Sequence, residues 1–234
     1  EVRRRGLPFV VQMTVTGYPR PLDAATIDSG TAVALMAALA RDHGPSTVVW
    51  RYDPIVVSDL TPVDWHKATF RRLAGALRGS VDECVVSFVH GYRKTRRNLD
   101  AAARAHDFDW RDPDDDEKRD LLADLAAIAA DHSIALTLCG QPHLVVDGVA
   151  ESRCIDAERL ATVAGRPVAA PARPHRKTCR CAASRDIGDY DSCPHGCVYC
   201  YAVQDRERAK RHFAAHDPGA EMLIAKKSAR EVIS

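Results

Sequence analysis

Residues 193–201 read CPHGCVYCY, which places Cys193, Cys197 and Cys200 at C-x3-C-x2-C spacing. Thiolates are soft ligands that select iron–sulfur clusters, zinc or cuprous ions. A structural zinc site normally closes with four ligands. A four-iron cluster held by three thiolates instead keeps one iron open to another molecule. Zinc stays open as an alternative, with His195 or Cys181 as the fourth ligand. Four further cysteines make a second candidate set: Cys139, Cys154 and the C-x-C pair Cys179 and Cys181. Four soft ligands from separate segments could bind a second [4Fe–4S] cluster or a structural zinc. In the simpler reading Cys139 and Cys154 are small buried apolar residues. Cys84 lies within a strand-like run and reads as core.

Composition limits the setting. The chain has 234 residues, with 33 Lys and Arg against 32 Asp and Glu. The length suits one sizeable domain with a small appendage, and the bulk charge gives no argument for nucleic acid or a membrane. No apolar run is long enough to span a bilayer. The opening EVRRRGLPFVVQ has no secretory pattern, and its abrupt start reads as a fragment. Five of the eight cysteines crowd into residues 179–200. Clustered cysteines without an export signal fit metal or redox work in a reducing compartment, so a cytoplasmic location is expected.

The elements that must position these residues alternate. PFVVQMTV (8–15), TVVWRYDPIVV (47–57), DECVVSFVH (82–90) and SIALTLC (133–139) are short apolar runs that read as buried strands. Between them, helical periodicity covers Asp28 or Ser29 to His43, with Val33, Met36, Ala37 and Ala40 on one stripe. It recurs from Thr61 to Leu77, with Trp65, Phe70, Leu73 and Leu77 inward, and over 116–131. A last short helix is expected from Asp156 to Ala164. Repeated strand–helix alternation implies an α/β fold with parallel strands. The expected architecture is a (β/α) barrel, partial or permuted, with an open doubly wound sheet as second choice. AGRPVAAPARPHRK (164–177) is a Pro- and Arg-rich linker without a period. The expected division is therefore a barrel-like domain over 1–165 and a linker with a cysteine-rich, cluster-binding tail over 166–234.

In such folds functional groups gather at the carboxyl ends of strands. Those ends carry Gln12, Thr14 and Thr16; Arg51, Tyr52 and Asp53; His90, Tyr92 and Arg93; and Cys139. Strand alternation puts Arg51 and Asp53 on one side. The pair could bind a charged amino-acid moiety or polar substrate, or simply close the sheet end as an ion pair. YRKTRRN (92–98) and RPHRKTCR (173–180) could grip phosphates, although such runs are more often solvated surface. The acidic DPDDDE (112–117) reads as a helix amino terminus, and DRERAKRHFAAH (205–216) as an amphipathic packing helix.

C-x3-C-x2-C with Tyr199 before the last cysteine resembles the radical S-adenosylmethionine (SAM) signature. That resemblance implies a [4Fe–4S] cluster on Cys193, Cys197 and Cys200, with SAM chelated at the open iron and Tyr199 beside the adenine. It also implies reductive cleavage of SAM to start radical chemistry on an unknown substrate. The electron donor would be a flavodoxin or ferredoxin, and Arg51 and Asp53 are candidates for the SAM amino-acid moiety. The wider stretch CRCAASRDIGDYDSCPHGCVYCYA, with WRYDPIV, YRKTRR and CIDAERL upstream, resembles the bacterial domain-of-unknown-function family 1848. Members of that family begin with a further βα region carrying Ser-Arg-Arg-Thr-Asp, a segment this sequence does not show. YCYA is similar, more distantly, to spore photoproduct lyase-like radical SAM proteins. Most radical SAM enzymes carry their cysteines after the first barrel strand, whereas here they follow the last strand. The resemblance therefore implies a permuted barrel or a tail folded over the barrel mouth. The alternative function is a non-catalytic zinc- or iron–sulfur-stabilised binding module, with nucleic acid as a less favoured partner.

Overall fold

The computed structural model describes residues 2–173, 178–220 and 222–224. In chain order its strands are β1 (Val11–Thr14), β2 (Val48–Ile55), β3 (Val57–Ser58), β4 (Glu83–Phe88), β5 (Trp110–Arg111), β6 (Ala135–Leu138) and β7 (Val149–Glu151). The helices are α1 (Ser29–His43), α2 (Val63–Leu77), α3 (Arg93–His106), α4 (Asp115–Asp131), α5 (Ala157–Ala164) and α6 (Arg206–Ala214). Five strands form one sheet in the order β1-β2-β4-β6-β7, and every neighbouring pair is parallel. β3 and β5 make a separate two-residue antiparallel pair. The protein is thus α/β with a mostly parallel five-stranded sheet. Among the described residues no pairing joins β7 to β1, so no closed barrel is seen.

The chain contacts cluster into two compact units. The first comprises Glu1–Tyr18, Ile27–Gly91 and Asp107–Ser184, and the second Pro19–Thr26, Tyr92–His106 and Arg185–Ser234.

The first unit holds the sheet. β2 and β4 are near-continuous apolar runs because a central parallel strand is covered on both faces. Trp50 and Tyr52 of β2 are fully buried with Phe70 of α2, and the Trp50 and Phe70 rings stack 4.7 Å apart. The indole N–H of Trp50 donates to the Val15 carbonyl at 2.9 Å, which satisfies its one polar atom. The register of β2 on β4 shifts between Tyr52 and Ile55, where Pro54 has no N–H to give the ladder.

The α2 stripe differs from expectation at one position. Trp65 is only half-buried and stacks on Tyr18, while His66 points inward and is fully buried. His66 is accommodated because both ring nitrogens find partners. Nε2 donates to the Val56 carbonyl at 3.0 Å, which leaves Nδ1 to accept from the Tyr52 hydroxyl at 2.9 Å. Burial pushes its pKa down to about 4, so the ring is neutral at pH 7. α4 starts as the acidic run implies. Asp114 and Glu117 close a reciprocal capping box around the first turn.

The second unit contains α3 and α6. α3 takes in residues 93–98 of the basic run, for which no helix is expected from periodicity. Its AAARAH half supplies strong helix formers, and Leu99 and Ala102 are its buried apolar residues. α6 is capped by the Asp205 carboxylate, which accepts from Arg208 N at 3.0 Å.

Candidate functional site

Cysteines occupy two distinct settings. In the second unit, Cys193, Cys197 and Cys200 sit on one loop. Cys200 N donates to Cys197 O at 3.1 Å, so the C-x2-C step is a single turn with one cysteine at each end. The C-x3-C step passes through Gly196 at φ 71°, a left-handed conformation that glycine adopts without steric cost. Cys193 is exposed, and Cys197 and Cys200 are partly buried.

The loop is held by residues 19–26, part of the connection between β1 and α1. Val198 N donates to Leu22 O at 3.0 Å and Ala25 N to His195 O at 2.9 Å, with an antiparallel bridge between Asp23 and Cys197. The buried Asp23 carboxylate accepts from the Tyr199 hydroxyl at 2.6 Å. Burial, and then the negative charge of Asp23, push the Cys197 thiol well above its ordinary pKa. Neither Asp23 nor its role is legible in the sequence, because PRPLDAAT (19–26) has no motif and lies about 170 residues upstream of the cysteines.

On the far side of the motif Asp191 organises the chain. Burial works against its charge, but the N–H groups of Asp205 and Gln204 outweigh it and hold the carboxyl below its usual range. Arg208 pairs with the same carboxylate, and the ring N–H at Nδ1 of His212 donates to the Asp191 carbonyl at 2.9 Å. Of the basic run on α3, Lys94 donates to the carbonyls of Tyr201 and Val203. That lysine therefore supports the loop's exit. In the other basic run, residues 174–177 lie outside the described residues.

In the first unit the strand ends carry the second set. Cys139 directly follows β6, and Cys154 follows β7 by three residues. Their sulfurs lie 3.4 Å apart. Arg51, from β2, donates from Nη1 to Cys154 Sγ at 3.2 Å and to Gln12 Oε1 at 2.7 Å. Its other edge meets Asp53 twice, Nε to Oδ1 at 3.0 Å and Nη2 to Oδ2 at 2.5 Å. The Gln12 amide also donates to the Cys154 carbonyl, and Ser87 Oγ to Asp53. Burial opposes the Arg51 charge, but Asp53 outweighs it and holds the guanidinium above its usual pKa. A hydrogen bond from Cys139, reinforced by Arg51, holds Cys154 below the ordinary thiol range, while Cys139 is pushed up.

Cys179 and Cys181 take other partners. Cys181 Sγ accepts from Ile155 N, and Cys179 Sγ from Cys181 N, both at 3.4 Å. Among the described residues no three His, Cys, Asp or Glu side chains converge as a set that could hold a metal ion. The Cys193–Cys200 loop carries three thiolate donors of the soft kind that iron–sulfur clusters and zinc both accept. All three lie on one short loop outside any disulfide, and none is fully buried. A crevice of about 400 Å³ between Asp64, Lys67, Arg71, Asp124 and Asp131 is lined by charged helix surface without a cysteine.

No helix among the described residues is long and apolar enough to cross a membrane. A family model described as a domain of unknown function, DUF1848, matches residues 1–202. No curated protein and no solved structure shows a significant match to the chain.

Proposed function

From a chain that belongs to the DUF1848 family, we propose an iron–sulfur protein of radical SAM type, with Cys193, Cys197 and Cys200 as the cluster ligands. The observation that carries this reading is the loop itself. Three free thiols at C-x3-C-x2-C are set by one turn and one left-handed glycine, and buttressed by residues 19–26. The bound [4Fe–4S] cluster would supply one-electron reduction of SAM, with a flavodoxin or ferredoxin as electron source. Asp23 and Tyr199 brace the turn from behind, Lys94 ties down its exit, and Gly196 lets the chain reverse between the first two ligands.

The late position of the motif also fits. Residues 19–26 follow β1 in the chain, so the loop pairs with the segment that comes after the first strand, despite lying some 170 residues downstream. The sheet order, which follows the chain without reversal, supports a partial barrel over a doubly wound sheet. Arg51 and Asp53 are engaged with each other, Gln12 and Cys154.

The test is anaerobic purification of wild type beside Cys193→Ala, Cys197→Ala and Cys200→Ala, with iron, sulfide and zinc counted. Expected are a brown wild type with at least four irons, loss of the cluster in each variant, and 5′-deoxyadenosine from SAM under strong reductant. A colourless wild type holding stoichiometric zinc after cluster reconstitution overturns the reading.

A further inference from the structure

We propose that Cys139 and Cys154 are a redox-active dithiol that closes reversibly into a disulfide by exchange with a small-molecule disulfide. The two residues lie at the same end of adjacent parallel strands, whose last paired positions are Leu138 and Glu151. The chain between them is short, yet only the sheet brings the sulfurs to 3.4 Å. A disulfide needs about 2.05 Å, so closure takes a relative movement of about 1.4 Å, within the reach of side-chain rotation. Both cysteines are half-buried, open enough to meet a small reagent. Cys84 is the internal contrast, sealed within β4 with no exposure.

Arg51 gives the pair a direction. Its guanidinium faces Cys154 Sγ and is fixed there by Asp53 and Gln12. A fixed cation favours negative charge on the sulfur it touches, which makes Cys154 the attacking thiolate. Cys154 attacks one sulfur of the reagent disulfide, the S–S bond breaks, and one thiolate leaves. Cys139 then loses its proton and attacks the Cys154 sulfur. The mixed disulfide breaks and the second thiolate leaves. The protein loses two hydrogens, and the reagent gains two as a pair of thiols.

The inference is independent of the iron–sulfur reading. It is tested on the full chain, purified anaerobically, as wild type and as a variant carrying Cys193→Ser, Cys197→Ser and Cys200→Ser. Each protein is equilibrated with mixtures of oxidised and reduced glutathione, alkylated and digested with trypsin. Cleavage after Arg153 separates Cys139 from Cys154. Expected in both proteins is a Cys139–Cys154 cross-linked peptide pair that grows with the oxidised fraction and disappears with dithiothreitol. In Cys139→Ser, closure is lost and glutathione is trapped on Cys154. Three results overturn the proposal. One is alkylation of both thiols at every ratio. Another is a dominant cross-link from Cys154 to Cys181. The third is a stoichiometric metal that shields Cys139, Cys154, Cys179 and Cys181 together.

Discussion

The two cysteine-bearing regions are held by different kinds of support. At the sheet edge, Cys139 and Cys154 are positioned by strand register and by Arg51, whose contacts converge from β1, β2 and the segment after β7. In the loop of the second unit, the cysteines hang on one turn and a few bonds to residues 19–26, with the buried Asp23 carboxylate beside Cys197. The first arrangement follows from the pairing of β6 with β7 in a packed sheet. The second is local, with Cys193 exposed and Cys197 and Cys200 partly buried. The contrast separates a sulfur pair brought together by strand pairing from three sulfurs brought together by their spacing on one loop.

The largest effect is expected from Arg51→Met. It leaves Asp53, a carboxylate with an 11% exposed side chain, without its cation at the sheet end. Breaking such a pair costs about 3 kcal/mol, read as a lower denaturant midpoint, while iron binding at the loop should persist. Equal loss of both would mean that the two regions are not separately supported.

An effect of nearly the same size is one of pH. His66 has a folded-state pKa of about 4, below the ordinary 6.5 of the unfolded chain. Between those values the unfolded state binds more protons, so stability is full above pH 6.5 and falls as the pH drops toward 4. The loss approaches roughly 3 kcal/mol. Unfolding midpoints across that window should show the slope in wild type and a flatter one in His66→Gln.

A smaller effect is expected from Asp23→Ala, which removes the acceptor of the Tyr199 hydroxyl. A hydrogen bond to a charged group contributes about 2 kcal/mol. The expected outcome is weaker cluster retention on dilution or chelator challenge, with the melting of the sheet unchanged. Unaltered retention would show that the loop does not depend on this brace.

Much of the fold was legible because parallel strands buried on both faces become continuous apolar runs. The runs at 8–15, 47–57, 82–90 and 133–139 each contain an observed strand. β7, with three residues, is too short to leave a pattern. α3 was hidden because its basic residues suggest surface before they suggest a helix. Trp65 and His66 show the limit of side-chain type as a guide. The larger apolar ring stays at the rim while the histidine goes inside, since Tyr52 and Val56 offer it a partner for each nitrogen.

The sequence by itself determined the α/β class, the alternation, the family and the cysteine spacing, because periodicity and the C-x3-C-x2-C spacing are local properties of the chain. Only the tertiary structure decided which sulfurs meet and what stands behind them. It joined Cys139 to Cys154 through β6 and β7, set Arg51 against that pair, and brought Asp23 beside Cys197 and Tyr199. The physical reason is that strand pairing and loop docking depend on the burial of distant segments against each other, and no short motif records which segments those are.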